Sequence, residues 1–273
     1  MLVLKADGVA QEFDEQKLIA SLKRSGAEEK AARDVADAIK KELYERIPTH
    51  EIYARAFARL REPSFISKHR PGVAARYSLK RAVLDFGPTG FPFEAYIAEM
   101  FRAEGYSAKI DQIIQGECVE HEVDVLLEKD GKEIFVEAKF HNTLGFKTDL
   151  KTALYVQART EDINRGAGFI VTNTKFTSKA VQYAQCKGLE LLGWEYPEGN
   201  NLHDRVDKAG VYPITALASL SRREKTALLE QKVVLCKDIK ENTRALAIAG
   251  ISGKKADLVL EEAGALCIPG RDI

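Results

Sequence analysis

Two runs decide how this chain is read: V-E-H-E-V-D-V-L-L-E (119–128) and K-E-I-F-V-E-A-K-F-H (132–141), with Asp130-Gly131 between them. An Asp-Gly pair flanked by alternating apolar residues is a strong hairpin signal. On the second strand Ile134, Val136, Ala138 and Phe140 point to one face and Glu137 and Lys139 to the other, because strand side chains alternate. Asp124, on the first strand, can lie across the hairpin from them. Two carboxylates and one ammonium then meet at one spot. That is a hard-cation site with a charged helper, a set that suits hydrolysis of a phosphodiester.

Composition narrows the classes. The 273 residues exceed one typical domain, so two or three are expected. An apolar fraction of 45% supports real cores. Lys plus Arg number 41 and so do Asp plus Glu, so there is no global basic field and nucleic-acid binding has to come from local patches. Cys118, Cys186, Cys236 and Cys267 form no CxxC pair. This argues against zinc and for reduced thiols, and a cytoplasmic protein is expected. M-L-V-L-K-A-D-G at the start lacks a signal-peptide apolar run, and no stretch approaches the roughly 20 apolar residues of a membrane span.

Two linkers, G-P-T-G-F-P (87–92) and Y-P-E-G-N-N (196–201), divide the chain. The expected units are 1–86, 90–197 and 205–273. The first opens with a strand from Leu2 to Lys5 and an Asp7-Gly8 turn, then turns helical. Its helices carry Leu18, Ile19 and Leu22, then Val35, Ile39 and Leu43 from about Lys30 to Arg46, then a helix capped by Thr49, then one from Gly72 to Phe86. The second reads as a helix with Phe93, Ile97 and Phe101, the hairpin, a helix from about Lys147 to Asn164, the strand G-F-I-V-T-N (168–173), a helix from Ser178 to Lys187 and the strand L-E-L-L-G-W (189–194). Strands separated by helices pair in parallel through right-handed crossovers. Beyond Tyr212 the chain reads as all-helical, with a Ser221/Glu224 capping box. The fold class expected is multi-domain α/β: a mostly helical first unit, an αβ core with a mixed sheet, and a helical third unit.

A divalent hard cation, Mg²⁺ or Mn²⁺, takes carboxylate oxygens and leaves positions for water and phosphate. Asp124 and Glu137 would supply those oxygens, and Lys139 can stabilise charge on the phosphorus or lower the pKa of the attacking water. An ordinary surface hairpin also carries E-x-K. The Asp on the previous strand and a preceding helix with Glu94 favour the functional reading. Together G-F-P-F-E-A-Y-I-A-E-M-F-R-A-E-G-Y (90–106), E-V-D-V-L-L (122–127) and F-V-E-A-K-F (135–140) resemble the PD-(D/E)XK nuclease superfamily over about residues 90–196. The likeness is to its Mrr-like restriction endonuclease branch and to Holliday-junction resolvases. The resemblance implies a restriction-endonuclease-like core in which Asp124, Glu137 and Lys139 are catalytic, the two acids as metal ligands. It also implies Glu94 as a supporting metal or water contact, and Gln157 as a site residue on the helix after the motif. The usual Pro-Asp is here Val123-Asp124. His121 and His141 either line the cleft and touch phosphate or are polar residues at its rim. Lys147 and Lys151 either contact DNA phosphate or are solvated helix lysines.

In the first unit V-L-K-A-D-G-V-A-Q-E-F-D-E-Q-K-L-I-A-S-L (3–22), I-P-T-H-E-I-Y (47–53) and A-A-R-Y-S-L-K-R-A (74–82) resemble the ATP-cone, a regulatory nucleotide-binding module. The resemblance implies ATP or dATP bound with Lys5 and Lys17 on phosphates and the stretch from Val9 to Phe13 beside base or ribose. Thr49, Arg76 and Lys80 would complete the site. Ala6 stands where the family often has Arg, and there is no P-loop, so ATP hydrolysis is not expected. A small helical docking domain that has lost its ligand is the alternative. In the third unit A-G-I-S-G-K-K-A-D-L-V-L-E-E-A-G-A-L (249–266) resembles a helix-hairpin-helix. There Gly250 and Gly253 permit a tight turn, and the next helix start, with Lys254 and Lys255, would bind DNA phosphate. Packing or dimerisation would explain the same residues.

The function expected is a Mg²⁺-dependent DNA endonuclease, a phosphodiester hydrolase regulated by ATP or dATP. It is expected to act as a homodimer or higher oligomer, because cutting two strands with one-site subunits is easiest in pairs. The alternatives are a nucleotide-sensing DNA-binding regulator that does not cut, and a structural hub with neither activity.

Overall fold

The computed structural model of the chain describes residues 1–5, 8–62, 65, 72–87, 90–143 and 145–267. Ala6 and Asp7 in the first turn, and Pro88 and Thr89 in the first linker, lie outside the described residues. In the first segment β1 (Leu2–Leu4) pairs antiparallel with β2 (Ala10–Glu12) and parallel with β3 (Ile47–Pro48). The Asp14 carboxylate accepts the Lys17 N–H and starts α1 (Glu15–Arg24), satisfying one of the orphan donors of a helix end. With α2 (Glu29–Lys41) and α3 (Thr49–Leu60) it closes a core around Val3, Leu22, Val35, Ile39 and Ile52. Pro48, not Thr49, holds the N-cap position of α3. The helix expected from Gly72 to Phe86 is two, α4 (Val73–Tyr77) and α5 (Leu79–Leu84). They meet at Ser78, whose hydroxyl donates to the Ala75 carbonyl, a local bond that competes with helix continuation.

The central segment begins with α6 (Phe91–Ala103), followed by β4 (Ser107–Gln115), β5 (Glu120–Lys129), β6 (Lys132–Lys139), β7 (Lys147–Thr148), α7 (Leu150–Ile163), β8 (Ala167–Thr172), β9 (Lys175–Phe176), α8 (Ser178–Lys187) and β10 (Glu190–Leu192). The sheet order is β10-β8-β6-β5-β4. The β4–β5–β6 pairs are antiparallel and the β6–β8–β10 pairs parallel, the mixed sheet expected. The Asp-Gly hairpin is present, with Lys129 opposite Lys132.

β4 has no counterpart in the sequence reading. Its Asp111 adopts φ 51°, in the left-handed region, so the period-two pattern breaks in mid-strand. Ala108, Ile110, Val125 and Leu127 belong to the core under α6, whereas Ile114 and Val123 pack with Phe135 and Ile163 in a second core. The apolar face of β4 and β5 therefore changes sides where Asp111 lies opposite Asp124.

The last segment holds α9 (Leu202–Ala209), a 3₁₀ turn at Ile214–Ala216, α10 (Arg222–Glu230), α11 (Cys236–Glu241), α12 (Thr243–Ile248) and α13 (Gly253–Leu266). The Ser221/Glu224 capping box is formed. One apolar core runs through all three segments, taking Leu79, Val83 and Phe86 from the first, Phe93, Phe101 and Val136 from the second, and Leu202, Leu235 and Val259 from the third. Polar bonds pin the same junction. The Tyr96 hydroxyl donates to the Val211 carbonyl at 3.0 Å and the Thr215 hydroxyl to the Ala82 carbonyl at 2.6 Å. Among the described residues no helix is long and apolar enough to cross a membrane.

Tyr96→Phe keeps the ring and leaves the Val211 carbonyl without this donor. Urea denaturation should show a loss of about 1–3 kcal/mol, the cost of an unsatisfied buried acceptor. No loss would show that this bond does not help join the segments.

Candidate active site

The pairing of β5 with β6 ends at Val125 opposite Val136. Beyond it β5 stays with β4, while Glu137, Ala138 and Lys139 stay with β8. The two strands part, and a side chain takes the place of the missing ladder partner: the Ala138 N–H donates to Asp124 Oδ2 at 2.7 Å. Glu137, 4% exposed, sits on the next strand. Its Oε1 is 2.5 Å from Lys139 Nζ and its Oε2 is 2.6 Å from Arg159 Nη1. The Arg159 side chain is 1% exposed and donates also to the Glu122 carbonyl at 2.9 Å. Its Nε and Nη2 have no hydrogen-bond partner among the described residues, and the guanidinium lies 5.4 Å from the Tyr155 ring. α7 carries Arg159 to the sheet across Gly168, where an added Cβ would stand 2.6 Å from Thr160 Oγ1 and 2.7 Å from Leu189 Cδ1.

The acids strain against one another. Burial first, then the charges of Asp124, Asp111, Glu122 and Glu137, push Glu94 up to about 7. Burial and the Glu137 charge push Asp124 up to about 6, against the Ala138 N–H, Lys139 and Arg159. Burial would lower the Lys139 pKa, but its hydrogen bond to Glu137 and the nearby carboxylate charges outweigh that and raise it. A divalent cation fits this donor set, since it would relieve the repulsion that lifts both acids. Asp124 and Glu137 are the candidate pair for it; among the described residues no group of three or more His, Cys, Asp and Glu is placed to hold a metal. The Lys139 side chain, 42% exposed, can leave Glu137 for solvent or phosphate, whereas buried Arg159 stays.

The structure thus brings Asp124, Glu137 and Lys139 together, with Glu94 close enough to feel the charge of both acids. Gln157 donates to Glu161 at 2.9 Å. His121 is held 2.7 Å from Asp162, and His141 stacks on Phe146. Lys147 and Lys151 are exposed. In the first segment the Lys5 N–H closes the first turn on the Val9 carbonyl, Phe13 packs against the core, and Lys17 lies 3.5 Å from Asp14. Thr49 starts α3. Arg76 and Lys80 reach the other segments: Arg76 lies over the Tyr212 ring at 5.9 Å, and Lys80 is 3.9 Å from Glu195 and 5.9 Å from the Trp194 ring. Gly250 and Gly253 have φ of 76° and 55°, the first in the turn before α13 and the second at its first position. Lys254 is exposed, and Lys255 is paired with Glu224 at 2.7 Å.

Arg159 and Asp111 escaped the sequence reading. Arg159 had a signal, a charged residue three after Val156 and four before Ile163, on the buried stripe of α7. Asp111 had none, since its placement depends on the unread strand.

Two outcomes are expected. An acid whose pKa is higher in the fold than in the unfolded chain stabilises the fold while protonated. That contribution is full below about pH 4 and is lost as pH rises through about 6 for Asp124 and about 7 for Glu94. Without divalent metal, the melting temperature of Asp124→Asn should therefore gain on wild type between about pH 4 and about pH 6. A pH-independent difference would contradict the crowding of acids. Arg159→Met removes one partner of a buried pair and should cost on the order of 3 kcal/mol in urea denaturation. Added to Glu137→Gln it should cost much less, the non-additivity of contacting residues.

Comparison with known proteins accords with this geometry. The ATP cone domain family matches residues 1–84, the restriction endonuclease family residues 88–195 and the AF1548-like C-terminal family residues 212–267. The likeness of the last segment to a helix-hairpin-helix rests on its glycine turn alone. An uncharacterized protein of Archaeoglobus fulgidus is 38% identical over 172 residues, 61% of this chain and 97% of that protein. The crystal structure of AF1548, a protein of unknown function, superposes with a TM-score of 0.54 at 36% identity, covering 64% of this chain and 96% of that one. Can2 from Sulfobacillus thermosulfidooxidans, solved with cyclic tetra-adenylate, reaches a TM-score of only 0.34 at 12% identity over 70% of this chain and 54% of that one, too little to bear on the fold. The chain belongs to the AF1548-like proteins, with an ATP-cone ahead of a restriction-endonuclease-like domain and an AF1548-like C-terminal domain.

Proposed function

We propose that this protein is a divalent-metal-dependent DNA endonuclease whose activity or assembly is set by ATP or dATP at the ATP-cone. The observation that carries the reading is the meeting of Asp124, Glu137 and Lys139 where β5 and β6 part, in a domain of the restriction endonuclease family. Mg²⁺ or Mn²⁺ held by Asp124 and Glu137 would polarise the phosphate and acidify a water. Lys139 is placed to stabilise charge on the phosphate oxygens. Glu94, within reach of the charges of both acids, can orient the attacking water. Arg159 fixes Glu137 from behind. Most of the rate enhancement would come from positioning and electrostatics. Lys147, Lys151 and the turn at Gly250 to Lys255 would hold the DNA backbone, and a homodimer would cut both strands.

The cone is suited to report on the nuclease. Lys80 is shared between the expected nucleotide site and the contact with Glu195 and Trp194. A triphosphate that drew Lys80 away would loosen that contact. The non-cutting, nucleotide-sensing DNA-binding regulator keeps one observation in its favour: both oxygens of Glu137 are already held by cations.

Cleavage of plasmid and branched DNA with Mg²⁺, with and without ATP, separates the two readings. Asp124→Ala should cut nothing while remaining folded, and retained cutting sinks the assignment. Saturating ATP should raise the melting temperature, by an amount equivalent to about 2.7 kcal/mol at a hundredfold excess over Kd. Lys17→Ala should weaken that shift, and an undiminished shift removes Lys17 from the nucleotide site.

A further inference from the structure

Large aromatic rings in this chain are mostly core: Phe86, Phe93, Phe101 and Phe135 are all at most 3% exposed. Two near the candidate site are not. Phe146 is 60% exposed and Tyr155 is 53% exposed. Single exposed apolar residues need no explanation. These two differ because each makes a ring contact with a neighbour of the acid–lysine cluster. Phe146 stacks on His141 at 5.8 Å with an interplanar angle of 10°. His141 follows Lys139 by two residues, an extended step of about 7 Å. Its backbone is clamped by buried Asn173, which accepts the His141 N–H at 2.9 Å and donates to its carbonyl at 2.7 Å. Tyr155 lies beside the Arg159 guanidinium, which holds Glu137. One ring is thus anchored on His141, two residues past Lys139, and the other beside Arg159, the partner of Glu137.

Each ring also has a cation for company. Lys147 follows Phe146 directly, and Lys151 precedes Tyr155 by one helical turn, on the same face of α7. Exposed rings interleaved with lysines are what single-stranded nucleic acid is bound by, because every unpaired base offers a π-face and every nucleotide a phosphate. A paired duplex keeps its base faces stacked on one another and offers none. We propose that Phe146 and Tyr155 are stacking platforms for unpaired bases beside the cut phosphate, so that the substrate is DNA with unpaired nucleotides at the site of cleavage. This inference rests on the nuclease reading and names its substrate class.

The test is binding by the full chain, followed by fluorescence anisotropy with Ca²⁺ in place of Mg²⁺. Three DNAs of equal length are compared: a fully paired duplex, the same duplex with an internal bubble of unpaired thymidines, and the same bubble with abasic sites. Wild type should bind the thymidine bubble about tenfold more tightly than the duplex, the scale of one base–aromatic stack. The abasic bubble should lose that preference. Phe146→Ala combined with Tyr155→Ala should lose it too, with duplex binding unchanged, and Phe146→Trp should keep it. Equal binding of bubble and duplex, an abasic bubble bound as tightly as the thymidine bubble, or an equal loss on all three DNAs in the double variant would overturn the inference. If Asp124-dependent cleavage of plain duplex survives any of those results, the nuclease reading stands without it. No binding to any DNA would bring down both.

Discussion

Where β5 and β6 separate, the N–H of Ala138 loses its strand partner and Asp124 supplies the acceptor instead. An unpaired buried donor costs as much as a lost hydrogen bond, so this carboxylate has a structural role before it has a chemical one. The rest of the site follows. An acid drawn into a half-buried fork meets Glu137 on the neighbouring strand, and the pair needs positive charge. Lys139 brings it from the solvent side and Arg159 from the core. The two cations are not equivalent. Arg159 is locked by burial, so Oε2 of Glu137 is permanently taken. Lys139 can move, which leaves Oε1 as the oxygen open to exchange between an ammonium and a metal ion.

The same fork explains why α7 and α6 must both be in place. Gly168 lets α7 approach close enough for Arg159 to reach through, and α6 brings Glu94 within reach of the charges of the acids. α6 in turn is held by the core that the first and third segments complete. Three family matches along the chain therefore do not mean three independent bodies. Thr215 on Ala82, Tyr96 on Val211 and Lys80 beside Glu195 tie them at backbone or charge level. Lys80 gives the first segment a direct contact with Trp194 and Glu195, just past β10.

Local signals carried the parts of this account that depend on neighbours in sequence. The Asp130-Gly131 turn and the alternation of Ile134, Val136 and Ala138 were enough to set the hairpin register, which brings Asp124 and Glu137 to the fork just beyond the Val125–Val136 pair. The Ser221 capping box was equally readable. What local signals did not show were features set by distant partners. β4 hides its alternation because Asp111 turns its backbone over in the middle of the strand. The break between α4 and α5 depends on one serine hydroxyl choosing a carbonyl. Arg159, which meets Glu137 from the same helix as Gln157, lies 22 residues from its partner and gave no local motif. Lys80 reads as a phosphate ligand in its own segment, while its neighbours, Trp194 and Glu195, lie more than a hundred residues away.

The account turns on a metal ion replacing an ion pair at Glu137, and Mn²⁺ can be located directly by its anomalous scattering in crystals grown with it. The predicted result is a peak between Asp124 and Glu137, with Lys139 released from Glu137 and Arg159 still on Oε2. A map with no peak there, and with Lys139 still closed on Glu137, would contradict the claim that this fork is a metal-dependent catalytic centre.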